Sequence, residues 1–526
     1  MPVARTHSIA LVGVSGYPVE IETDIANGLP GLLLVGLPDT ALREARDRIR
    51  AAIINSHEQW PQRRVTVGLS PASLPKRGSA FDLGIAVSIL AAAGVVPVAA
   101  LEGVVFLGEL GLDGRIRPVR GVLPAVAAAA EAGFSKVVVA SANLPEASLV
   151  PGLRVTGAPS LRALLAWLRD DLDGEGARCV QIAGGQAGSQ TGKSEEEPDA
   201  GGGRSRQRPD LADVLGQPAA RRAAEICAAG GHHLSLLGPP GAGKTMLAER
   251  IPAIMPALDR AAALEVTAIH SVAGTLPPDR PLMTDPPFCA PHHTASKAAI
   301  VGGGSGIIRP GAASLAHRGC LFLDEAPEFG RDVLDALRQP LEAGEVVMAR
   351  SGLTARFPAR FTLLLAANPC PCAKSGVPHA TCTCTPVARR RYLARLSGPL
   401  LDRIDVKVEL LPVSRAELLS DRKFAETSAV VAARVEAARC RAAARLEGTP
   451  WRLNAEIPGS ELRRTFRPPA GATAPLERAM DLGRISARGV DRVLRVAWTL
   501  ADLAGLARPT LGETSYALGL WLGMGE

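Results

Sequence analysis

The octapeptide at residues 238–245, Gly-Pro-Pro-Gly-Ala-Gly-Lys-Thr, has the residue types that bind nucleotide phosphates. Its glycines let the backbone form a nest of N–H groups, Lys244 can reach the β- and γ-phosphates, and Thr245 can bind Mg²⁺. An apolar run before the loop predicts a strand at 234–237, and Met246 to Arg250 predicts the start of a helix. Because this context favours a phosphate-binding loop over an ordinary Gly-Pro turn, we predict a nucleotide site formed by Gly238, Pro239, Pro240, Gly241, Ala242, Gly243, Lys244, Thr245 and Met246.

Two further apolar runs end in side chains that such a site needs. Residues 320–325 read Cys-Leu-Phe-Leu-Asp-Glu, and the carboxyl end of a buried parallel strand is where α/β sheets bind ligands. We predict that Asp324 holds Mg²⁺ and that Glu325 orients the attacking water. A strand from Phe361 to Ala367 ends at Asn368, whose amide can bind the γ-phosphate or the water. The alternatives are an exposed acidic strand end and a turn asparagine.

Length and composition limit the classes of protein that the chain can belong to. Its 526 residues predict about three domains, and a net charge of +7 permits a polyanionic partner without requiring one. Aromatic residues make up 3% of the chain, so base stacking is expected to contribute little to any nucleic-acid contact. No apolar run is long enough to span a bilayer and the first residues lack the layout of a secretion signal, so we predict a cytoplasmic protein without a membrane partner.

The composition changes along the chain and predicts an α/β protein with four segments. Residues 1–170 alternate apolar strands with helical runs, 171–209 form a flexible linker rich in Gly, Ser and Gln, 210–410 carry the nucleotide motifs, and 411–526 are mostly helical and rich in Arg. In the first segment we predict strands at 8–14, 32–36, 64–69, 104–107 and 136–140, and helices at 40–55, 81–93 and 123–132.

Four cysteines are grouped in two closely spaced pairs. Cys370 and Cys372, then Cys382 and Cys384, can supply four thiolates to a tetrahedral Zn²⁺ site, and His379 is a spare ligand. The C-x-C spacing is tighter than the usual C-x-x-C, so reduced thiols without a metal are the alternative.

The residues around these motifs resemble those of the magnesium-chelatase-like AAA+ ATPases and, within them, the YifB/ComM family. The resemblance is carried by residues 291–296, 310–325, 368–372 and 397–405, and it extends over almost the whole chain. It implies an AAA+ P-loop ATPase core at 210–410 with a helical lid at 411–526. It also implies that residues 1–170 form an α+β domain similar to the Lon protease domain.

The resemblance also implies roles for two arginines. Arg403, in the segment Leu-Leu-Asp-Arg-Ile-Asp, is similar to an arginine finger that completes the ATP site of a neighbouring subunit, so hydrolysis would need a ring, here a homohexamer. The alternative is a surface salt bridge with Asp402 or Asp405. Arg488 is similar to the sensor arginine of the lid and lies on a predicted amphipathic helix.

Two insertions are typical of this branch of AAA+ proteins, and similar rings place them in the central pore. One spans Ala268 to Gly319, with the glycines at 302–304 predicted as a flexible loop tip, and the other is a predicted hairpin with strands at 345–349 and 353–357. Lys297, Arg350 and Arg356 are therefore candidates for contacts with DNA phosphates, with solvated loop charge as the alternative. His292 and His293 lie in the first insertion, where we expect packing or pore contacts rather than metal binding.

The Lon-like segment lacks the residues that proteolysis requires. A Lon-type protease needs a nucleophilic Ser and a Lys, but Ala80 occupies the serine position, Ser79 is one place off, and Leu123 stands where the Lys would be. We therefore predict no proteolysis. Lys76 and Arg77 are either phosphate contacts or solvated charges at a helix entry.

The residues alone predict an oligomeric AAA+ ATPase that uses ATP and Mg²⁺. The resemblance implies more: a DNA helicase that acts on single-stranded and branched DNA and promotes branch migration in natural transformation and homologous recombination. A metal-insertion motor of the magnesium-chelatase type and a protein-remodelling ATPase are the alternatives. The absence of an integrin-type domain from this sequence argues against the first, although partner subunits could supply one.

Overall fold

A computed structural model describes residues 3–36, 39–74, 76, 78–169, 181–183, 209–277, 279–304, 308–350, 353–374, 382–422 and 424–523 of the chain. The secondary structure is mixed α/β and is built around one sheet of eight strands and one parallel sheet of five strands. Within these described residues, no helix combines the length and the apolar character needed to cross a membrane.

The eight-stranded sheet belongs to the amino-terminal part. Its strands and two short neighbours are β1 (Ala4–Val12), β2 (Ser15–Ala26), β3 (Gly31–Val35), β4 (Arg64–Ser70), β5 (Val104–Leu107), β6 (Glu109–Leu110), β7 (Ile116–Arg117), β8 (Lys136–Ala140), β9 (Arg154–Ala158) and β10 (Gln181–Ala183). The helices are α1 (Asp39–Asn55), α2 (Asp82–Ala92), α3 (Val122–Glu131), α4 (Leu144–Ala147) and α5 (Leu161–Leu168). The sheet order is β10-β9-β8-β5-β1-β2-β4-β3, and β6 pairs only with β7 among the described strands.

The two faces of this sheet are covered by different helices. In β5, Val104 and Phe106 belong to the cluster that contains α2, whereas Val105 and Leu107 belong to the cluster that contains α3. Successive side chains of a strand point to opposite faces, so α2 and α3 cover opposite sides. Every residue of α2 is buried, which agrees with its lack of a polar stripe.

The predicted strands and helices of this part are all present, and β5 and β8 have the predicted bounds. Three strands of the eight-stranded sheet were not predicted, and neither was the short pair β6 and β7. In β2, apolar residues alternate with Glu20, Glu22 and Asp24. This period-two pattern is typical of a half-buried strand, and it contains no continuous apolar run. β9 was likewise missed. β10 lies within the predicted linker, where residues 181–183 pair with β9; residues 171–180 and 184–208 of that segment lie outside the described part of the chain.

The five-stranded parallel sheet is formed by residues of the second part. The strands are β11 (Leu234–Leu237), β12 (Phe288–Cys289), β13 (Gly302–Gly303), β14 (Arg309–Pro310), β15 (Cys320–Leu323), β16 (Glu345–Arg350), β17 (Leu353–Pro358), β18 (Thr362–Ala367) and β19 (Val406–Glu409). The helices are α6 (Pro218–Gly230), α7 (Lys244–Ala248), α8 (Ile251–Ile254), α9 (Arg260–Ala273), α10 (Lys297–Val301), α11 (Ala312–Leu315), α12 (Arg331–Ala336), α13 (Arg338–Ala343), α14 (Pro386–Leu393) and α15 (Gly398–Leu401). The sheet order is β12-β15-β18-β11-β19, and β15 and β18 are buried along their whole length.

The carboxyl-terminal part is helical. Its helices are α16 (Arg415–Asp421), α17 (Ser428–Arg445), α18 (Gly459–Arg464), α19 (Ala470–Asp481), α20 (Ala487–Ala504) and α21 (Leu511–Leu522). The arginines of α17 bind groups of this chain: Arg434 pairs with Glu225 and Glu426, Arg439 donates to the Ala228 carbonyl, and Arg445 pairs with Asp502. These positive charges therefore stabilise the contacts between helices.

Both insertions form antiparallel strand pairs. β16 and β17 form the predicted hairpin, and β13 pairs with β14, so Gly302 and Gly303 lie in a strand rather than at a loop tip. The two pairs are neighbours, since a Cβ placed on Gly302 would lie 3.0 Å from Met348 of β16. The insertions therefore form adjoining elements.

The amino-terminal part contacts both insertions closely. The Gly121 N–H donates to the Ser271 carbonyl at the end of α9 (3.1 Å), and Glu146 accepts from the Leu123 N–H and from the Ser271 hydroxyl. A Cβ on Gly13, whose φ is +68°, would lie 2.6 Å from the Arg356 carbonyl oxygen of β17. Backbone therefore approaches backbone across this contact, and a side chain at residue 13 would prevent it.

Candidate nucleotide-binding site

Three adjacent strands bring the predicted site residues to one edge of the parallel sheet. Gly238 follows β11, Asp324 follows β15 and Asn368 follows β18, and β18 lies between the other two strands. The pairing places Leu237 opposite Ala367, and the Gly238 N–H donates to the Ala367 carbonyl (3.1 Å). The carboxyl ends of these strands form the crevice in which α/β sheets bind ligands.

The loop at 238–245 has a conformation that requires glycine. Gly241 and Gly243 have φ values of +80° and +93°, which L side chains rarely adopt. A Cβ on either would meet no atom within 4 Å, so the loop faces open space, whereas a Cβ on Gly238 would lie 2.6 Å from the Leu410 carbonyl. The helix after the loop, α7, begins at Lys244 rather than Met246 and ends at Ala248.

The Lys244 side chain is held inside this loop. Its Nζ donates to the Gly238 carbonyl (2.6 Å), the Pro239 carbonyl (2.9 Å) and the Asn368 Oδ1 (3.0 Å). Burial lowers the pKa of Lys244, while the charges of Asp324 and Glu325 oppose that shift. The structure therefore brings together the lysine and the asparagine that the sequence assigned to one site.

Oxygen ligands suitable for Mg²⁺ lie beside the lysine. The Thr245 hydroxyl donates to Asp324 Oδ2 at 2.7 Å, and hydroxyl and carboxylate oxygens are ligands that Mg²⁺ prefers. Asp324 Oδ1 accepts from the Glu325 N–H at 2.8 Å. The open glycine cradle, the buried ammonium and this pair of oxygens fit a magnesium nucleotide.

The Glu325 backbone is in the left-handed region, with φ +50° and ψ +42°. Residues other than glycine adopt this region rarely, and such strain is concentrated at functional sites. Its Oε2 lies 3.4 Å from Nδ1 of His293, which the sequence analysis did not place at this site. The position of the His pair in the sequence could have indicated this contact. The pair comes soon after β12, and β12 runs parallel to β15, so both strands end on the same side of the sheet. The His292 and His293 ring centroids are 4.2 Å apart.

Arg403 lies at the amino-terminal ends of the parallel strands, whereas the loop lies at their carboxyl ends. It precedes β19, which runs parallel to β11 for four residues, a length of about 13 Å. Its guanidinium donates to the Pro399 carbonyl and to Glu342, instead of the Asp402 or Asp405 considered from the sequence. Arg403 therefore points away from the nucleotide site of its own chain.

Other arginines surround Arg403. Burial lowers its pKa, and the charges of Arg338, Arg492 and Arg488 act in the same direction. Arg488, the predicted sensor arginine, is exposed in the first turn of α20. The structure thus groups Arg488 with Arg403 and not with Lys244.

A buried carboxylate fixes the backbone beside Arg403. Asp405, which is 1% exposed, accepts from the His233 N–H (3.1 Å) and from Nη1 of Arg492 (2.9 Å), and Arg492 also donates to the Arg403 carbonyl (3.3 Å). Burial opposes the ionisation of Asp405, but Arg492 and His232 hold its pKa well below its usual range. Asp405 therefore joins the parallel sheet to α20 of the carboxyl-terminal part.

The His233 ring makes stability depend on pH. Its Nδ1 accepts from the Leu363 N–H, and burial, with Arg492, His232 and Arg495, lowers its pKa from 6.5 to about 4 against the opposing charge of Asp405. Below pH 6.5 the unfolded chain binds a proton that the folded chain does not, so stability falls as pH falls towards 4. We expect a loss of about 2 kcal/mol between pH 7.5 and pH 5 from this group.

The variant His233→Asn keeps an acceptor for the Leu363 N–H but cannot titrate. Urea unfolding at both pH values should show that it loses about 2 kcal/mol less than the wild type. An equal pH dependence in the two proteins would contradict this assignment.

The DNA candidates lie on the two insertions but differ in their surroundings. Lys297 is exposed at the start of α10, whereas Arg356 forms an ion pair with Glu345 across the hairpin (2.5 Å). The Arg350 side chain lies outside the described residues.

The four predicted zinc ligands are brought together. The Sγ atoms of Cys370, Cys372, Cys382 and Cys384 all lie within 4.8 Å of one another, and Cys370 is fully buried. Hydrogen bonds, first that from the Cys384 backbone, lower the pKa of Cys382 to about 6. His379 lies outside the described residues.

In the amino-terminal part, Lys76 is neither of the two things predicted for it, a phosphate contact or a solvated charge. It is fully buried, and its ammonium donates to the Pro71 carbonyl and to the Leu74 carbonyl (3.0 Å), so it is neither solvated nor available to phosphate. The Ser79 hydroxyl binds Glu109. Among these described residues, lysine and serine thus have separate partners and form no dyad; Arg77 is outside the described part.

Family comparisons match three segments of the chain. Residues 210–418 match "Magnesium chelatase, subunit ChlI", residues 21–143 match "Subunit ChlI of Mg-chelatase", and residues 425–520 match "Magnesium chelatase, subunit ChlI C-terminal". An uncharacterized protein of Mycobacterium tuberculosis is 52% identical over 518 residues, 98% of each chain. The competence protein ComM of Haemophilus influenzae is 40% identical over 520 residues, which is 98% of this chain and 97% of ComM.

The parallel sheet with its loop, carboxylate and asparagine defines an AAA+ P-loop ATPase, a class that uses ATP and Mg²⁺. The uncharacterized protein YifB of Escherichia coli is 40% identical over 504 residues, 96% of this chain and 94% of YifB. The chain belongs to the YifB/ComM family of magnesium-chelatase-like AAA+ ATPases, which confirms the predicted family. A stretch of 150 residues is 27% identical to a Lon protease of Mycolicibacterium smegmatis, covering 27% of this chain and 19% of the protease.

Proposed function

We propose that this ATPase is a ring motor, a homohexamer, that moves on DNA as a helicase. Arg403 carries the proposal of a ring, because it lies at the opposite ends of the parallel strands from its own phosphate-binding loop. An arginine in that position can stabilise transition-state charge only in the site of another subunit. A heterologous contact that repeats around an axis closes into a ring.

Each site residue has a role that follows from its position. ATP with Mg²⁺ supplies the phosphoryl group whose cleavage releases free energy. Lys244 binds the phosphates, Thr245 and Asp324 hold the metal, and Glu325 orients the water. Asn368, bonded to Lys244, contacts the γ-phosphate or the water. Arg403 and Arg488 come from the neighbouring subunit, since both lie in the same arginine cluster.

DNA is the substrate that the insertions and the relatives favour. The two strand pairs adjoin each other; Lys297 is exposed on the helix before β13, and Arg350 and Arg356 belong to the hairpin strands, so these three residues are the candidates for phosphate contacts. One relative is named a competence protein. We therefore propose branch migration on single-stranded and branched DNA, in natural transformation and homologous recombination, as the cellular task.

We assign a role to each of the four segments predicted from the sequence. Residues 1–170 form a Lon-like domain without proteolytic activity, 171–209 connect it to the ATPase core at 210–410, and 411–526 form the lid. The protein works in the cytoplasm, where its DNA substrate is. Zinc at the four cysteines is a separate matter, because its binding does not depend on ATP hydrolysis.

ATP turnover measured with and without DNA tests the proposal. We expect single-stranded and forked DNA to raise turnover several-fold, and we expect Lys244→Ala and Glu325→Gln to abolish turnover in both conditions. The two variants separate the steps, since Lys244→Ala removes a phosphate contact whereas Glu325→Gln retains ATP binding. Strand displacement on three-stranded substrates then tests branch migration.

Each contrary result points to a different function. Turnover that is intact but unchanged by DNA at low and moderate salt would exclude the DNA motor. Turnover that depends on a porphyrin would favour a metal-insertion motor, and turnover stimulated by an unfolded protein would favour a remodelling ATPase. Degradation of casein would contradict the absence of proteolysis.

A further inference from the structure

We infer that Cys370, Cys372, Cys382 and Cys384 bind one Zn²⁺ ion, and that this ion braces the nucleotide site by fixing Asn368 to α14. The role of the brace rests on the proposed ATPase site, whereas zinc binding itself does not. The distances among the sulfur atoms, the partners of the thiols and the contacts of α14 carry the inference.

The sulfur positions fit a tetrahedral zinc site. The distances are 3.3 Å from Cys370 to Cys372, 3.5 Å from Cys372 to Cys382 and 3.6 Å from Cys382 to Cys370. Four thiolates at the usual Zn–S distance of ~2.3 Å stand about 3.8 Å apart, close to these values. A disulfide needs its sulfur atoms at about 2.05 Å, so these pairs are thiols.

A cation outside the cluster completes the arrangement. Four thiolates around Zn²⁺ leave a net charge of −2, which needs compensation in a partly buried position. Nη2 of Arg389, on α14, lies 3.4 Å from the Cys382 Sγ and can donate to it. An arginine beside a thiolate ligand is the outer contact that keeps such a site in place.

The cluster joins two elements of the nucleotide site. Cys370 follows two residues after Asn368, whose side chain accepts from Lys244. Cys384 precedes Thr385, which caps α14 by accepting from the Ala388 N–H (3.2 Å). One ion bound to both pairs would therefore hold the end of β18 against the start of α14.

α14 and Arg395, two residues after its end, extend this restraint to the residues that follow β18 and β15. Tyr392, 4% exposed, lies beside the Asn368 backbone. Arg395 donates to the Pro327 carbonyl (3.2 Å) and pairs with Glu328 (2.9 Å), in the turn that follows Glu325. Without the ion, the contacts of Tyr392 and Arg395 would remain, but the direct link from Cys370 to the start of α14 would be lost, so Asn368 and this turn would be held less firmly.

Metal analysis of the purified full chain tests zinc binding without ATP or DNA. We expect about one zinc per chain in the wild type and in Lys244→Ala, and less than about 0.1 in the double variant Cys382→Ser/Cys384→Ser. Cys440→Ser, an exposed cysteine on α17, is the matched control and should keep the ion. Cys384→His offers zinc another ligand that it accepts, and should retain binding that Cys384→Ser loses.

The brace is tested on the same proteins by hydrogen exchange and turnover. Zinc loss should speed exchange at residues 366–370 and 386–393 but not in α9, and should lower ATP turnover about tenfold. A wild-type chain that neither contains zinc nor takes it up would overturn the site, as would cysteine variants that keep it. Zinc loss that leaves exchange at these residues unchanged would overturn the brace. An inactive wild type that still binds zinc would count against the proposed function alone.

Discussion

Replacing Arg403 with alanine is expected to lower ATP turnover by about 10³-fold or more, because an arginine supplied by a neighbour stabilises charge in the transition state. The loss should appear mainly in kcat, since the structure places Arg403 away from the loop that binds ATP in its own chain. Arg338→Ala removes another charge of the same cluster, and we expect this matched control to change turnover less than about threefold.

Mixing two inactive variants shows whether the arginine acts between subunits. Lys244→Ala chains keep Arg403, and Arg403→Ala chains keep an intact phosphate-binding loop. In a random one-to-one ring, about a quarter of the interfaces combine the intact loop with the intact arginine, so about a quarter of wild-type turnover should return. No recovery in a mixture shown to form joint rings would place the arginine in its own chain's site.

The second large effect concerns stability. Asp405→Ala is expected to lower the free energy of unfolding by about 3–5 kcal/mol, because it leaves Arg492 without its buried carboxylate partner and the His233 N–H without an acceptor. Asp402→Ala, an exposed carboxylate three residues earlier, should stay within about 0.5 kcal/mol of the wild type.

Denaturant unfolding followed by tryptophan fluorescence can detect this loss, since Trp498 and Trp521 lie in the carboxyl-terminal helices α20 and α21. Hydrogen exchange locates it: amides of β19 and α20 should exchange faster, while those of α2 remain protected. Pairing Asp405→Ala with Arg492→Leu in a double-mutant cycle isolates the ion pair, and additive effects would show that the pair does not couple the sheet and α20.

The strands and loop of the candidate nucleotide site could be located from the sequence because they follow simple patterns. Buried parallel strands appear as continuous apolar runs, so β11, β15 and β18 could be located along with the side chains at their ends. Glycine at 241 and 243 indicated a backbone that the structure shows at positive φ. The roles of these residues remain predictions until the variants are measured.

Other features join residues that are far apart in the chain, and one sequence does not show such pairings. Asp405 meets His233 and Arg492, and Glu325 meets His293, through the order of strands in the sheet. Burial of Lys76 was equally hidden, because a lysine before a helix is usually solvated. The proximity of Arg403 and Arg488 could likewise be seen only once the fold was known.

The contact between the amino-terminal part and the insertions has a consequence for how the chain behaves on dilution. Glu146 accepts hydrogen bonds from both sides of that contact, and Gly13 meets Arg356 backbone to backbone. Since both partners belong to one polypeptide, their association is intramolecular, at an effective concentration of the order of millimolar. A contact with only weak intrinsic affinity thus remains closed at any protein concentration. A single proteolytic cut between the two parts would convert it into an ordinary bimolecular equilibrium, in which the halves separate at nanomolar concentration.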